Sequence, residues 1–241
     1  MQKETTINTL FGKNIYKATI ANYETINKNV ISDIKSFVKE KPGAMAATTD
    51  VVGNTKIQYT NKDNETVLES AVDNLHKKKL YQFLFSALGR NINFYLHTLG
   101  YNLNKLDIHI TKSWATYTVK DQHIASHKHT ASHFSFVYYV RNNEMGNIKF
   151  EQELATQTGL YIPPTDQYIV DWNQFNFSSY IIPVRTNNLI VFPSGLLHYT
   201  EVNTKEEPRI SISGDILLTM KPGVKTEHCI PHPSGWDTIS N

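Results

Sequence analysis

His127-Lys128-His129, with the strand-like Ser135-Phe136-Val137-Tyr138-Tyr139-Val140 behind it, decides how this chain is read. The two histidines stand at i and i+2. On extended backbone such residues point to one face, with Cα atoms roughly 6.8 Å apart. Their imidazoles can then converge on one metal ion, whose nitrogen ligands sit at about 2.1 Å. A third ligand from a remote strand, His198, and a cation beyond it, Arg209, would complete a site of the non-haem iron type. Taken alone, the pair reads more readily as two exposed imidazoles at a strand end.

Working outward, the hydrophobic period is two from about residue 105. Leu106, Ile108 and Ile110 alternate with polar residues, and Trp114-Ala115-Thr116-Tyr117-Thr118-Val119 continues the strand. Further strands are expected over 133–140, 147–151, 179–184, 188–193, 197–202 and 209–218. Many short strands separated by turn residues predict a β-sandwich or jelly roll. Towards the N-terminus the period is helical. Ile26, Val30, Ile31, Ile34 and Phe37 lie on one face of 24–40, which Pro42-Gly43 stops. A longer helix is expected over 65–99, with Leu68, Val72, Leu75, Leu80, Phe83 and Leu84 inward, redirected near Gly89 and ended by Gly100. Short strands are expected within 1–20 and around Ile57 to Tyr59.

The expected fold class is therefore α+β, mainly β: a double-stranded β-helix (jelly roll) core with N-terminal supporting helices. A single domain spans 1–241, with helical support over 1–104, the core over 105–220, an insertion or lid at 152–178 and a C-terminal tail at 221–241.

Composition excludes several function classes. Lys and Arg number 24 against 22 Asp and Glu, and the only lysine run is Lys77-Lys78-Lys79, so no basic stripe for nucleic acid is expected. Cys229 is the sole cysteine, which excludes an intrachain disulfide and fits a reducing, cytoplasmic setting. Met1-Gln2-Lys3-Glu4-Thr5-Thr6 lacks a signal-peptide pattern, and no apolar run has the length of a membrane span.

Around the third histidine, Asn188-Leu189-Ile190-Val191-Phe192-Pro193-Ser194-Gly195 reads as a buried strand ending in a turn. His198 opens the next strand, and the polar turn Asn203-Thr204-Lys205-Glu206-Glu207-Pro208 leads to Arg209. A hairpin there would set Arg209 level with His198 on a neighbouring strand. The guanidinium fork suits a dicarboxylate, and Ser211, facing the same way, can add a hydrogen bond. The alternative for Arg209 is a surface ion pair with Glu206 or Glu207. His133 shares the parity of His127 and His129, but Thr130-Ala131-Ser132 turns the chain, so it is expected to support rather than ligate. His76, His97, His109, His228 and His232 show no partner pattern.

Ser113-Trp114, His127-Lys128-His129 and Ser135 to Val140, with Phe192-Pro193-Ser194, His198 and Arg209-Ile210-Ser211-Ile212-Ser213, resemble a family of 2-oxoglutarate/Fe(II)-dependent oxygenases of unassigned substrate. Leu10-Phe11-Gly12 with Ile15-Tyr16 is similar to its N-terminus. The resemblance implies a dioxygenase, an oxidoreductase that uses dioxygen and 2-oxoglutarate to oxidise a C–H bond, by default through hydroxylation. It implies His127, His129 and His198 as Fe(II) ligands, and Arg209, Ser211 and Tyr117 as co-substrate contacts. A small metabolite, an amino acid or a peptide side chain would be the substrate. Tyr161, Tyr168, Trp172, Phe175, Phe177 and Tyr180 would line its mouth or pack the insertion.

Two positions depart from that pattern. Phe136 stands where the family commonly has glycine, and is expected to narrow the pocket. His129 stands where the wider superfamily has Asp or Glu, which leaves either a three-histidine site or two histidines with water between. The nearest alternative is a cupin-like metal- or small-molecule-binding protein without 2-oxoglutarate chemistry. His-x-His with His133, then Pro193-x-Gly195-x-x-His198 and Asn203, are similar to the cupin motifs. A cupin has no need of Arg209. A non-catalytic protein that kept the fold is the third reading.

Overall fold

The computed structural model describes residues 12–21, 23–40, 57–60, 66–69, 74–142, 146–151, 170–171, 179–225 and 227–238. In chain order the elements are β1 (Tyr16–Thr19), α1 (Glu24–Glu40), β2 (Ile57–Thr60), β3 (Thr66–Glu69), α2 (Gln82–Thr98), β4 (Leu106–Thr118), β5 (Phe134–Arg141), β6 (Ile148–Glu151), β7 (Ser179–Ile182), β8 (Asn188–Pro193), β9 (Leu197–Thr200) and β10 (Arg209–Met220). A five-stranded sheet runs β1-β8-β5-β10-β4, a three-stranded sheet runs β7-β6-β9, and β2 and β3 form a separate pair. Every strand pairing is antiparallel. The mainly β, α+β class read from the sequence is the one observed.

Alternation along the strands builds two cores, one on each face of the large sheet. Ile210, Ile212, Ile216 and Leu218 of β10 join Phe134, Phe136, Tyr138 and Val140 of β5 and Leu189 and Val191 of β8. They pack with Val30 and Ile34 of α1 and Leu84, Leu88, Ile92 and Leu96 of α2. The interleaved residues Val137, Tyr139, Ile190 and Phe192 form the second core with Ile148, Phe150 and Ile182 of the small sheet. β5 is covered on both faces, which is why Phe134 to Val140 is one unbroken buried run.

Four expectations are corrected. The helix expected over 65–99 begins only at Gln82. Thr66-Val67-Leu68-Glu69 instead pairs with β2, in keeping with its β-branched residues. Gly89 lies inside α2 without redirecting it, whereas Gly100, at φ 84°, does follow the helix end. β9 and β10 do not form a hairpin: β9 pairs with β6 in the small sheet, and β10 lies between β4 and β5 in the large one. His198 and Arg209 thus belong to opposing sheets. Phe136 does not narrow a pocket between the sheets, because its side chain enters the helical core against Phe85. The lid expected over 152–178 falls almost wholly outside the described residues, of which 170–171 are its only part. Among the described residues no helix is long and apolar enough to cross a membrane.

The placement of Phe136 depends on Gly214, its partner across β5 and β10. A Cβ at Gly214 would stand 2.6 Å from Phe136 Cε1 and Cζ and 2.9 Å from the Lys112 carbonyl oxygen. Gly214→Ala is expected to lose about 1–3 kcal/mol of stability by overpacking. Gly89→Ala, with nothing within 4 Å of the new methyl group, is expected to gain about 0.5–1 kcal/mol as a helix-interior replacement. Urea unfolding of the two variants measures both signs.

Candidate active site

The segment between β4 and β5 is held against the small sheet by a reciprocal backbone pair. The His127 N–H donates to the His198 carbonyl at 3.0 Å, and the His198 N–H donates to the His127 carbonyl at 2.9 Å. That bridge brings the two rings to 4.3 Å between centroids. His129, two residues on, has its ring 5.2 Å from that of His127 and 5.3 Å from that of His198. Ligand atoms of His127, His129 and His198 all lie within 4.8 Å of one another.

The remaining ring nitrogens fix how the three imidazoles are presented. His127 Nδ1 donates to the Ala125 carbonyl at 2.8 Å, and His198 Nδ1 to the Leu196 carbonyl at 2.8 Å. His129 Nδ1 donates to Asp215 Oδ1 at 2.5 Å. An imidazole whose Nδ1–H is committed offers its Nε2 lone pair to a metal, and such outer partners orient metal-binding histidines generally. His198 is 7% exposed and lies against Phe192 and Phe150. Burial, and then the neighbouring His127, pushes its pKa down to about 3. Burial lowers His127 as well. Both rings are therefore neutral near neutral pH, the form that binds metal.

Asp215 closes the arrangement behind His129. Its Oδ1 also accepts from Ser135 Oγ at 2.7 Å, and its Oδ2 pairs with Lys112 Nζ at 2.9 Å. Burial acts to raise the carboxyl group, but the hydrogen bonds and charges of its partners outweigh it and hold the pKa below the ordinary value. Ser132 donates to Ser194 at 2.8 Å, and Ser194 lies 2.9 Å from Ser135, so a run of hydroxyls ends on this carboxylate.

On the same face of β10, nearer its start, is Arg209, 4% exposed. Its Nη1 donates to the Glu201 carbonyl at 3.0 Å and its Nη2 to Thr200 Oγ1 at 2.8 Å, both at the end of β9. The surface pairing considered for it is not realised. Glu206 pairs with Lys120, and Glu207 lies 4.0 Å from Arg141. Tyr139, 1% exposed, is close enough for the Arg209 charge to act on its phenol. Burial raises that phenol, which keeps it a neutral O–H donor. Among the described residues the Tyr139 hydroxyl has no hydrogen-bond partner, and neither does that of Thr118, which sits across from Arg209 in the β4–β10 register. An orphaned buried hydroxyl is costly. A carboxylate placed beside Arg209 would satisfy the Tyr139 donor and meet the guanidinium charge.

The structure brings together most of the residues read from the sequence, with one exception; Asp215 joins them behind His129, and one further residue is added beside Arg209. Ser211, 8% exposed, stands across from Tyr139 and Thr116, on the Arg209 side of the sheet. Tyr117 is the exception. It pairs with Ile210 and packs on the helical core, so it points away from Arg209 and is withdrawn as a co-substrate contact. Tyr139 is the addition. Its signal in the sequence was a hydroxyl within an otherwise apolar run, but neither of the adjacent Tyr138 and Tyr139 could be assigned a face. His133 is structural: its Nδ1 accepts the Leu218 N–H at 3.0 Å. Asn203, the residue shared with the cupin pattern, donates to the Thr118 and Glu207 carbonyls.

A second grouping, Asp107, His109 and His232, also lies within ligand distance. Its histidines are engaged differently. His109 Nε2 meets Thr219 Oγ1 at 2.8 Å, and His232 Nδ1 accepts the Ser234 N–H at 3.1 Å. His232 Nε2 lies 3.8 Å from Asp107 Oδ2, a tail-to-strand contact.

The two facing sheets have the arrangement of a double-stranded β-helix. The model of a family described as "putative 2OG-Fe(II) oxygenase" matches residues 112–215, the stretch that runs from Lys112 to Asp215 and holds every residue of the site. Over that stretch the chain is similar to 2OG-Fe(II) oxygenases, which are oxidoreductases that use Fe(II) and 2-oxoglutarate. No curated protein sequence matches the chain. Among solved structures it is similar to a Pseudomonas putida prolyl-4-hydroxylase, at 9% identity and TM-score 0.53, over 85% of this chain and 92% of that one. It is also similar to SnoK, a non-heme alpha-ketoglutarate-dependent carbocyclase from nogalamycin biosynthesis, at 12% identity and TM-score 0.55, over 88% and 84%. The epimerase SnoN in complex with Fe3+, alpha-ketoglutarate and nogalamycin RO matches at 9% identity and TM-score 0.53, over 91% of each chain. At these identities the likeness is one of fold, the double-stranded β-helix.

The depressed His198 sets an acid sensitivity in the metal-free protein. Unfolded, this imidazole titrates near ~6.5; folded, it does so only near about 3. Between those values the unfolded chain binds more protons, so stability falls as pH drops through that window. Denaturant midpoints measured with a chelator at about pH 7 and about pH 5 should show a larger loss for the wild type than for His198→Gln. Equal losses would contradict the buried neutral imidazole.

Proposed function

We propose that this protein is a 2-oxoglutarate- and Fe(II)-dependent dioxygenase in which His127, His129 and His198 hold the metal. Arg209, Tyr139 and Ser211 receive the distal carboxylate of the co-substrate. The observation that carries this reading is a pairing of two fits. Three imidazoles with committed Nδ1 atoms turn Nε2 towards one another. On the same face of the large sheet, a buried Arg209 adjoins the Tyr139 hydroxyl, which has no partner among the described residues.

When bound, Fe(II) and 2-oxoglutarate supply the oxidising chemistry: dioxygen converts the keto acid to succinate and carbon dioxide while a substrate C–H bond is oxidised. The chain's own residues prepare the place for it. The Ala125, Leu196 and Asp215 acceptors hold the three Nδ1 protons and so lock the rings. Arg209 offsets the carboxylate charge where little water enters, and the guanidinium fork fixes its orientation. Phe150 and Phe192 cover the His198 ring and exclude solvent from that side.

The outcome we propose is hydroxylation of a small metabolite, an amino acid or a peptide side chain. The names of the structural neighbours include a prolyl-4-hydroxylase and a carbocyclase from nogalamycin biosynthesis, which leaves both kinds of substrate in the proposal. The near-balanced charge gives no support to a nucleic-acid substrate. We place the enzyme in a reducing cytoplasm, in keeping with its one cysteine, Cys229, exposed and not in a disulfide. The cupin-like alternative leaves the buried Arg209 and Tyr139 without a purpose.

An anaerobic titration of Fe(II)-loaded protein with 2-oxoglutarate, followed by its visible metal-to-ligand charge-transfer band, tests the proposal. A saturable band is expected. His198→Ala should abolish metal binding. Arg209→Ala should keep the metal and weaken 2-oxoglutarate, and Tyr139→Phe should do so less severely, by roughly tenfold for one lost charge-assisted hydrogen bond. Iron binding with no band at any 2-oxoglutarate concentration would favour the cupin-like reading.

A further inference from the structure

The outer partners of the three histidines are not equivalent. His127 and His198 each give Nδ1–H to a main-chain carbonyl, a neutral acceptor. His129 alone gives it to a carboxylate, and His129 is the residue that stands where the wider superfamily carries Asp or Glu. We infer that Asp215 is a positioning residue that returns to the ligand set, through the His129 imidazole, the negative charge this chain lacks at the metal. The inference rests on the three-histidine reading of the site.

The geometry carries it in three ways. Asp215 is 2% exposed and lies on β10, so its position is set by the sheet rather than by a loop. Its Oδ1 takes both the His129 Nδ1–H, at 2.5 Å, and the Ser135 hydroxyl, at 2.7 Å. Ser135 is in turn 2.9 Å from Ser194, which accepts from Ser132, so the hydroxyl run polarises towards this oxygen. Its Oδ2 faces Lys112, whose ammonium is half exposed and screened by water. The charge of Asp215 is therefore directed at His129 and only partly offset from behind. A carboxylate hydrogen-bonded to an imidazole raises its basicity as a ligand. A neutral third ligand can then serve Fe(II) much as a carboxylate would.

This account differs from a merely structural role in what it does to the metal's electrons. Removing negative charge from the ligand set lowers the iron d levels, so charge transfer to 2-oxoglutarate needs more energy. The experiment measures Fe(II) affinity and the position of the anaerobic charge-transfer band. Asp215→Asn keeps the shape of the side chain and is expected to weaken Fe(II) binding by roughly 10- to 100-fold and move the band to higher energy. Lys112→Met, at a half-exposed position, is expected to move the band the opposite way. In a His129→Asp background the ligand itself carries the charge, so adding Asp215→Asn should cost little affinity, a coupling that a double-mutant cycle reads directly.

Unchanged affinity and band energy in Asp215→Asn, with His198→Ala binding no iron, would overturn this inference and leave the three-histidine site standing. If Asp215→Asn does not fold, an unmoved band in Lys112→Met overturns it. Iron binding that survives His198→Ala would overturn both.

Discussion

The reciprocal backbone pair between His127 and His198 is the constraint on which the site depends. Two hydrogen bonds, at 2.9 and 3.0 Å, tie the segment between β4 and β5 to the first residues of β9. They sit in the middle of a longer seam, in which the Thr200 N–H donates to the Ile124 carbonyl at 3.1 Å and the Asn203 N–H to the Gln122 carbonyl at 2.8 Å. With them, three rings from two distant stretches of chain are held at fixed separations before any ligand arrives. The His129 N–H to Ser194 carbonyl bond, at 2.9 Å, extends the same seam by one residue pair. Preorganisation of this kind means that a metal need not meet the cost of ordering its own ligands.

β10 carries the other half of the design. Its residues alternate between two environments: Ile210, Ile212 and Ile216 enter the helical core, while Arg209, Ser211 and Asp215 turn towards the small sheet. The same strand thus serves both ends of the site, a cation near its start and a carboxylate further on. The apolar face against α1 and α2 gives the strand its rigidity, since a packed core permits little sliding. Phe136 and Gly214 belong to that face. Their fit explains how a bulky aromatic is accommodated beside the site without intruding on it.

Much of this was legible in the sequence, and the failures have physical causes. The period-two runs, which rest on local spacing, marked strands of both sheets, and His-x-His, His198 and Arg209 are residues that the fold brings to one side of the large sheet. Tyr117 could not be given a face from the sequence, because Trp114 to Val119 is apolar or β-branched throughout and shows no alternation. Tyr139 was missed for the same reason within a strand buried on both faces. The hairpin expected between His198 and Arg209 failed because a short polar connection can cross between sheets as readily as it can turn within one. Asp215, 86 residues from His129, is joined to it only by the tertiary fold. No local pattern marks such a pair.

The central claim is that three imidazoles, from His127, His129 and His198, bind one Fe(II). X-ray absorption at the iron edge of the anaerobic Fe(II) protein tests it most directly, because multiple scattering from imidazole rings reports how many are bound. The account predicts three in the wild type and two in His129→Ala. Two imidazoles in both proteins would contradict it and assign the third position to water.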